Sequence, residues 1–184
     1  MTTLLVLHAV RLRGFAETPD LAARFGLDPA EAAEALEDAR ARGWVTHAEF
    51  AGLGGWSLTE SGRAENERLL AAELTEAGAA AEVEAVHAAF LPLNARLLRA
   101  VTDWQLGAAS ADAGARAELA AVGAGLAPLA ARLSAVRPRF GGYDTRFAAA
   151  LDDGRIDDTD ADSCHRVWFE LHEDLVATLG LSRE

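Results

Sequence analysis

The densest punctuation in the chain lies between Thr18 and Arg63, and it leaves few ways to fold that stretch. Thr18-Pro19-Asp20 reads as a helix start. Thr18 caps, Pro19 takes a first-turn place where a missing N–H costs nothing, and Asp20 suits the positive end of the helix dipole. Leu21, Ala22 and Phe25 share an apolar face, and Gly26 ends the helix in a left-handed turn. Asp28-Pro29 restarts a helix by the same chemistry. This second helix, Pro29 to Arg42, turns Ala32, Ala33, Leu36 and Ala39 inward at helical spacing and stops at Gly43. A strand follows from Trp44 to Phe50, then a glycine-rich tip from Ala51 to Gly55 and a returning strand from Trp56 to Leu58.

A short helix, a tight turn, a second helix and a hairpin make up the arrangement by which reading heads enter the DNA major groove. The segment ARGWVTHAEFAGLGGWSLTESGR resembles the wing of MarR-type transcriptional regulators, where strand, loop and a Leu-Thr-x-x-Gly-Arg segment lead into the next helix. The resemblance covers residues 1 to about 76. It implies a winged helix-turn-helix that contacts duplex DNA through the second helix and the wing tip. Arg24, Pro29, Arg40, Arg42, Gly54 and Arg63 are what these elements and the adjoining arginines offer to a duplex. Readers of this kind match two half-sites by two-fold symmetry, so a homodimer is expected.

The charges depart from that pattern. Glu31, Glu34, Glu37 and Asp38 lie on the outward side of the second helix, where only Arg40 and Arg42 are basic. Affinity for DNA comes mainly from Lys and Arg neutralising phosphates, and acids facing the groove work against it. One glutamate can accept from cytosine, but several together have no such use. Arg11, Arg13, Arg24, Arg40, Arg42 and Arg63 are left to form a positive rim. The 184 residues carry a net charge of -12, with 29 acids against 17 basic residues, every one an arginine.

The first helix spans residues 3 to 13, with Leu4, Leu7, His8 and Leu12 on one face and Phe15 plugging the core behind it. A long helix capped by Thr59 or Ser61 reaches Ala77, breaks near Gly78 and resumes to Phe90. Pro92 then opens a separate helix from Asn94 to Leu106. Gly107 to Gly114 reads as a loop, and a helix from Ala115 to Val136 is kinked or split at Pro128. Asp144 caps a short helix to Leu151, Asp152 to Asp160 is a solvated turn without calcium-loop spacing, and a last helix runs from about Ala161 to Leu179. No internal repeat stands out. The fold class is therefore mainly α with a small two-stranded β wing. A winged helix-turn-helix occupies residues 1–76, and an α-helical part for dimerisation or ligand sensing occupies 77–184.

Cys164 is the single cysteine, which excludes an intrachain disulfide and a cysteine-rich zinc site. The apolar run after Met1 is too short for a signal peptide and lacks its basic start, and no run reads as long enough to cross a membrane. A soluble, cytoplasmic protein without a membrane partner is expected.

His165 and His172 lie seven residues apart and miss the zinc-protease spacing. Cys164 and His165 are adjacent on a helix and point apart, so they do not make a nucleophile pair. No enzyme signature, metal site or cofactor motif is read. An effector pocket is the remaining candidate. Trp104, Tyr143, Trp168, Phe140 and Phe169 are its aromatic walls, and Asn94, Arg99, Asp103, His165, Glu170 and His172 its polar groups. The competing reading makes these aromatics core and joins His165, Asp103 and Arg99 in a satisfied network. The leading function is a DNA-binding transcriptional regulator tuned by a small molecule or partner. The alternative is a winged helix that does not bind DNA and serves as a protein-interaction or ligand-binding module.

Overall fold

The computed structural model describes residues 2–50, 52–106, 109–157 and 162–181. Over these the chain is mainly α with one small two-stranded β wing. Its contacts cluster into two units, Met1–Glu76 together with Val176–Glu184, and Ala77–Leu175. The last turn of the terminal helix therefore belongs to the first unit, although the sequence places it in the helical part.

The first unit opens with α1 (Thr2–Arg13), α2 (Thr18–Phe25) and α3 (Pro29–Ala41). Its core joins Val6, Leu7 and Val10 of α1 to Leu21, Leu36, Val45 and Trp56. Asp28 caps α3 as expected, accepting from the Ala30 and Glu31 amides at 2.9 and 3.1 Å. Thr18 does not cap α2. Glu17 holds the cap position without a side-chain bond, and the Thr18 hydroxyl accepts instead from Trp56 Nε1 at 3.0 Å.

The wing pairs β1 (Val45–Phe50) with β2 (Leu53–Leu58) in antiparallel register, with His47 opposite Trp56. Gly54 and Gly55 are ladder residues rather than a flexible tip. At Gly55 an added Cβ would lie 2.5 Å from the Phe15 ring. Phe15 is thus not a core plug: it covers the strand and stays 47% exposed. Ala51 lies outside the described residues.

The Thr59-x-x-Gly62 segment has a direct physical cause. The Thr59 hydroxyl donates to the Gly43 carbonyl at 2.6 Å and accepts from the Gly62 amide at 3.0 Å. At Gly62 a Cβ would fall 1.8 Å from the Trp44 carbonyl oxygen, so glycine alone fits. This knot starts α4 (Glu60–Ala77), whose Leu70 packs with Leu4 and Ala177.

The second unit contains α5 (Ala80–Leu106), α6 (Ala109–Val136), a 3-10 turn (Pro138–Phe140), α7 (Tyr143–Asp152) and, as far as Leu175, α8 (Cys164–Leu179). Pro92 and Pro128 break neither α5 nor α6. Both prolines are exposed, so each ring projects to solvent, and Ala88 and Ala124, whose carbonyls lose a helical donor, are exposed as well. Ala109 to Gly114 is helix, not loop, while Gly107 and Ala108 lie outside the described residues. Asp144 is no cap: α7 starts at Tyr143 behind Gly142, which adopts φ 85°. The aspartate-rich turn is described only to Asp157.

With both helices continuous, a repeat becomes visible. Residues 82–96 (EVEAVHAAFLPLNAR) and 118–132 (ELAAVGAGLAPLAAR) agree at eight of fifteen positions, the prolines among them. The two segments lie antiparallel. Glu82 pairs with Arg132 at one end and Arg96 with Glu118 at the other, each at 2.7 Å. Unbroken, Ala113–Val136 is also long and apolar enough to cross a bilayer, with mean hydropathy 1.6 and 33% of that window buried. Splitting the helix at Pro128 hides this in the sequence.

Candidate functional site

The α3 face follows from its inward residues. Ala32, Leu36 and Ala39 are buried, which turns Glu31, Glu34, Glu37 and Asp38 to solvent. Arg40 is exposed but bound to Glu37 at 2.7 Å, one turn away on the same helix. Arg42 lays its guanidinium 4.9 Å over the Trp44 ring. Arg24 is the residue that leaves the expected set. It is buried, with its guanidinium 4.6 Å over Phe25, because its helical position faces the same side as Leu21. Arg11 is spent as well, its nearly covered guanidinium paired with Glu67 at 2.9 Å. Pro29 sits exposed at the start of α3, and Arg63 is exposed on α4. Gly54 lies beneath His47, whose Nε2 would be 3.5 Å from an added Cβ.

A cleft of about 410 Å³ opens beside the wing. Glu17, Thr18 and Pro19 line it from the start of α2, and His47, Glu49, Gly52 and Gly54 line it from the hairpin. His47 stands edge-on to Trp56 at 4.8 Å between ring centroids. The cleft thus adds two carboxylates and no guanidinium to a unit already rich in surface acids.

In the helical unit the expected pocket residues divide. Trp168 is core: it stacks on Phe90 at 4.8 Å, meets Phe147 edge-on at 5.7 Å and donates Nε1–H to Asn94 Oδ1 at 2.9 Å. Tyr143 is fully buried and donates to Asp174 at 2.9 Å, so its hydroxyl serves the interior. Arg99 and Asp103 are exposed and Trp104 is half-buried farther along α5. Among the described residues no hydrogen bond joins Arg99 or Asp103 to His165, so the network expected from the sequence does not form. His165 is half-buried, with its Nδ1 lacking a partner. His172 stacks on His87 at 6.0 Å, and burial pushes the His87 pKa down.

Two polar clusters, one buried and one partly exposed, were not legible in the sequence. Asp174, with no exposed side-chain area, holds both Arg139 and Tyr143. Arg146 bridges Glu170 and Asp162, each at 2.8 Å. Burial opposes the charge on Arg146, and the two carboxylates outweigh it, raising its pKa. Cys164 is fully covered; burial pushes its thiol up to about 11, and its Sγ–H points to the Phe147 carbonyl at 3.8 Å. A thiol held neutral in this way is a poor nucleophile.

No family model, no curated protein and no solved structure matches the chain.

Proposed function

We propose that the first unit is a winged helix that docks a protein partner rather than reading duplex DNA through α3. One observation carries this reading: the outward face of α3 holds four exposed acids, and the arginine beside them, Arg40, is paired with one of them, Glu37, at the surface. A groove-entering helix works within reach of phosphates on both sides, where acids are repelled and free guanidinium groups supply the affinity. The burial of Arg24 and the pairing of Arg11 leave fewer guanidinium groups to offset the acids than the sequence suggests. A partner with a basic docking segment fits the acids of α3 and of the wing cleft.

A second reading, a MarR-like regulator working as a homodimer on DNA, is favoured by the order helix, turn, helix, wing and by exposed Arg42 and Arg63. Tuning by a small molecule has less support, because Asn94, Tyr143 and Trp168 are spent on internal bonds.

Fluorescence anisotropy of a labelled duplex separates the two. The interaction module leaves a nonspecific duplex unbound at low salt, and Glu34→Arg with Glu37→Arg creates binding that was absent. A reader binds at once, with log K falling by about 0.9 per phosphate contact for each decade of salt. Steeply salt-dependent binding by the unmodified chain overturns the proposal in favour of the regulator.

A further inference from the structure

We propose that the solvent face of the α5–α6 hairpin is the docking surface for a second copy of this chain, forming a four-helix seam. Ala85, Ala89 and Pro92 of α5 and Ala121, Ala124 and Pro128 of α6 are exposed along the outer side of the hairpin. α6 carries no charged residue between Glu118 and Arg132. On α5 the one charge between Glu82 and Arg96 is Glu84, which two residues' rotation turns to the other side of the helix. Contiguous apolar surface of this kind marks an interaction site.

The four charges at the corners identify the occupant. Glu82 on α5 pairs with Arg132 on α6 at one end, and Arg96 on α5 pairs with Glu118 on α6 at the other. The sign alternates along each helix and also across the groove. A face charged in this checkerboard meets its own copy with every acid opposite an arginine. That holds whether the two-fold axis runs along the helices or across them. The match comes from the repeat itself, so a second copy supplies it by symmetry.

The 15 residues of each arm between the corner charges extend about 22 Å, and two helices roughly 10 Å apart present a face on the order of 20 Å wide, so the charge-free face covers on the order of 400 Å² per copy. That is about half of what a standard stable interface buries on each side, which suits a dimer that dissociates on dilution. Small side chains on both helices permit close approach. Every residue used lies in Ala77–Leu175, so the proposal is independent of what the first unit binds.

Sedimentation equilibrium of the full chain at micromolar concentrations tests it. The chain is expected to be a dimer. Ala124→Glu and Ala121→Arg, both exposed on a helix, keep the wild-type circular dichroism and raise the dimer Kd at least about 100-fold, because each buries an unpaired charge. Ala148→Glu, exposed on α7, leaves the dimer unchanged. A variant with all four corner charges inverted (Glu82→Arg, Arg96→Glu, Glu118→Arg and Arg132→Glu) still pairs with itself but does not exchange subunits with the unmodified chain. A chain that stays monomeric, a dimer that survives Ala124→Glu, or free exchange with the inverted variant overturns the proposal. So does a monomer that sediments with phosphatidylcholine vesicles, which would assign the apolar face to lipid.

Discussion

Replacing Asp174 with asparagine removes a carboxylate that the Arg139 guanidinium faces where water does not reach it. The side chains are 0% and 3% exposed, and Tyr143 donates to the second carboxylate oxygen at 2.9 Å. Asparagine keeps the shape but offers one acceptor oxygen where Asp174 offers two, so the change removes the charge and turns an NH2 group toward either Arg139 or Tyr143. Breaking a buried pair from one side costs about 3–5 kcal/mol, because the remaining ion has lost its compensation. Against a total stability of about 5–15 kcal/mol, that is a large fraction. With a urea m-value of about 2 kcal/mol per molar, the midpoint drops by about 2 M. Tyr143→Phe removes one bond to a charged acceptor and costs less, about 1.5–3 kcal/mol. The double variant Arg139→Met with Asp174→Leu removes both ions, so it is expected to lose less than Asp174→Asn alone. Urea titrations followed by circular dichroism measure all three. A shift below about 0.5 M for Asp174→Asn, or a double variant weaker than the single, refutes the argument that uncompensated charge dominates here.

Two further outcomes follow from local geometry. Gly62→Ala puts a methyl group 1.8 Å from a Trp44 oxygen that also accepts the Thr59 amide at 3.0 Å. It is expected to cost at least about 3 kcal/mol, whereas Gly114→Ala, which meets open space, gains up to about 1 kcal/mol; thermal unfolding of both checks this. His87 has its pKa pushed down by burial, so below pH of about 6.5 the unfolded chain takes up a proton that the folded chain resists. Stability therefore falls as pH drops from about 6.5 toward 5, and His87→Gln flattens that slope in urea midpoints measured across the window; an unchanged slope removes His87 as its cause.

What the sequence made legible was chemistry that acts within a few residues. Gly26 adopts φ 63° at the end of α2, and Asp28 caps α3, both as their neighbours imply. The acidic outer side of α3 follows from the spacing of Ala32, Leu36 and Ala39 alone. The misreadings share a cause: a distant partner overrode the local rule. Thr18 has the right chemistry for a cap but is taken by Trp56, thirty-eight residues on. Gly54 and Gly55 have the composition of a loop, yet Gly55 is small because Phe15 lies on it. Arg24 looks available until Phe25 and the core beside it are placed. In the helical unit the same distance problem hides the pairing of Arg139 with Asp174, thirty-five residues apart. Tyr143 and Trp168 were rightly singled out as large aromatics, but only the fold shows that their polar atoms turn inward.

Pro92 and Pro128 combine these two lessons. A proline inside a helix is about 3 kcal/mol less favourable than alanine, and this hairpin carries one in each arm. Read singly, each looks like a helix end, and that reading also conceals the repeat, since each break cuts one copy in two. Core packing does not account for them, because both rings face solvent. A shared departure from the local rule, at the same place in each copy of the repeat and so toward opposite ends of the antiparallel pair, points to the outer surface. The flanking charges point to the same place, since Glu82 with Arg132 and Arg96 with Glu118 bracket the prolines at both ends. The face between them is costly in helix propensity, free of charge and self-complementary at its corners, and burial against a like face is the arrangement in which all three properties are of use.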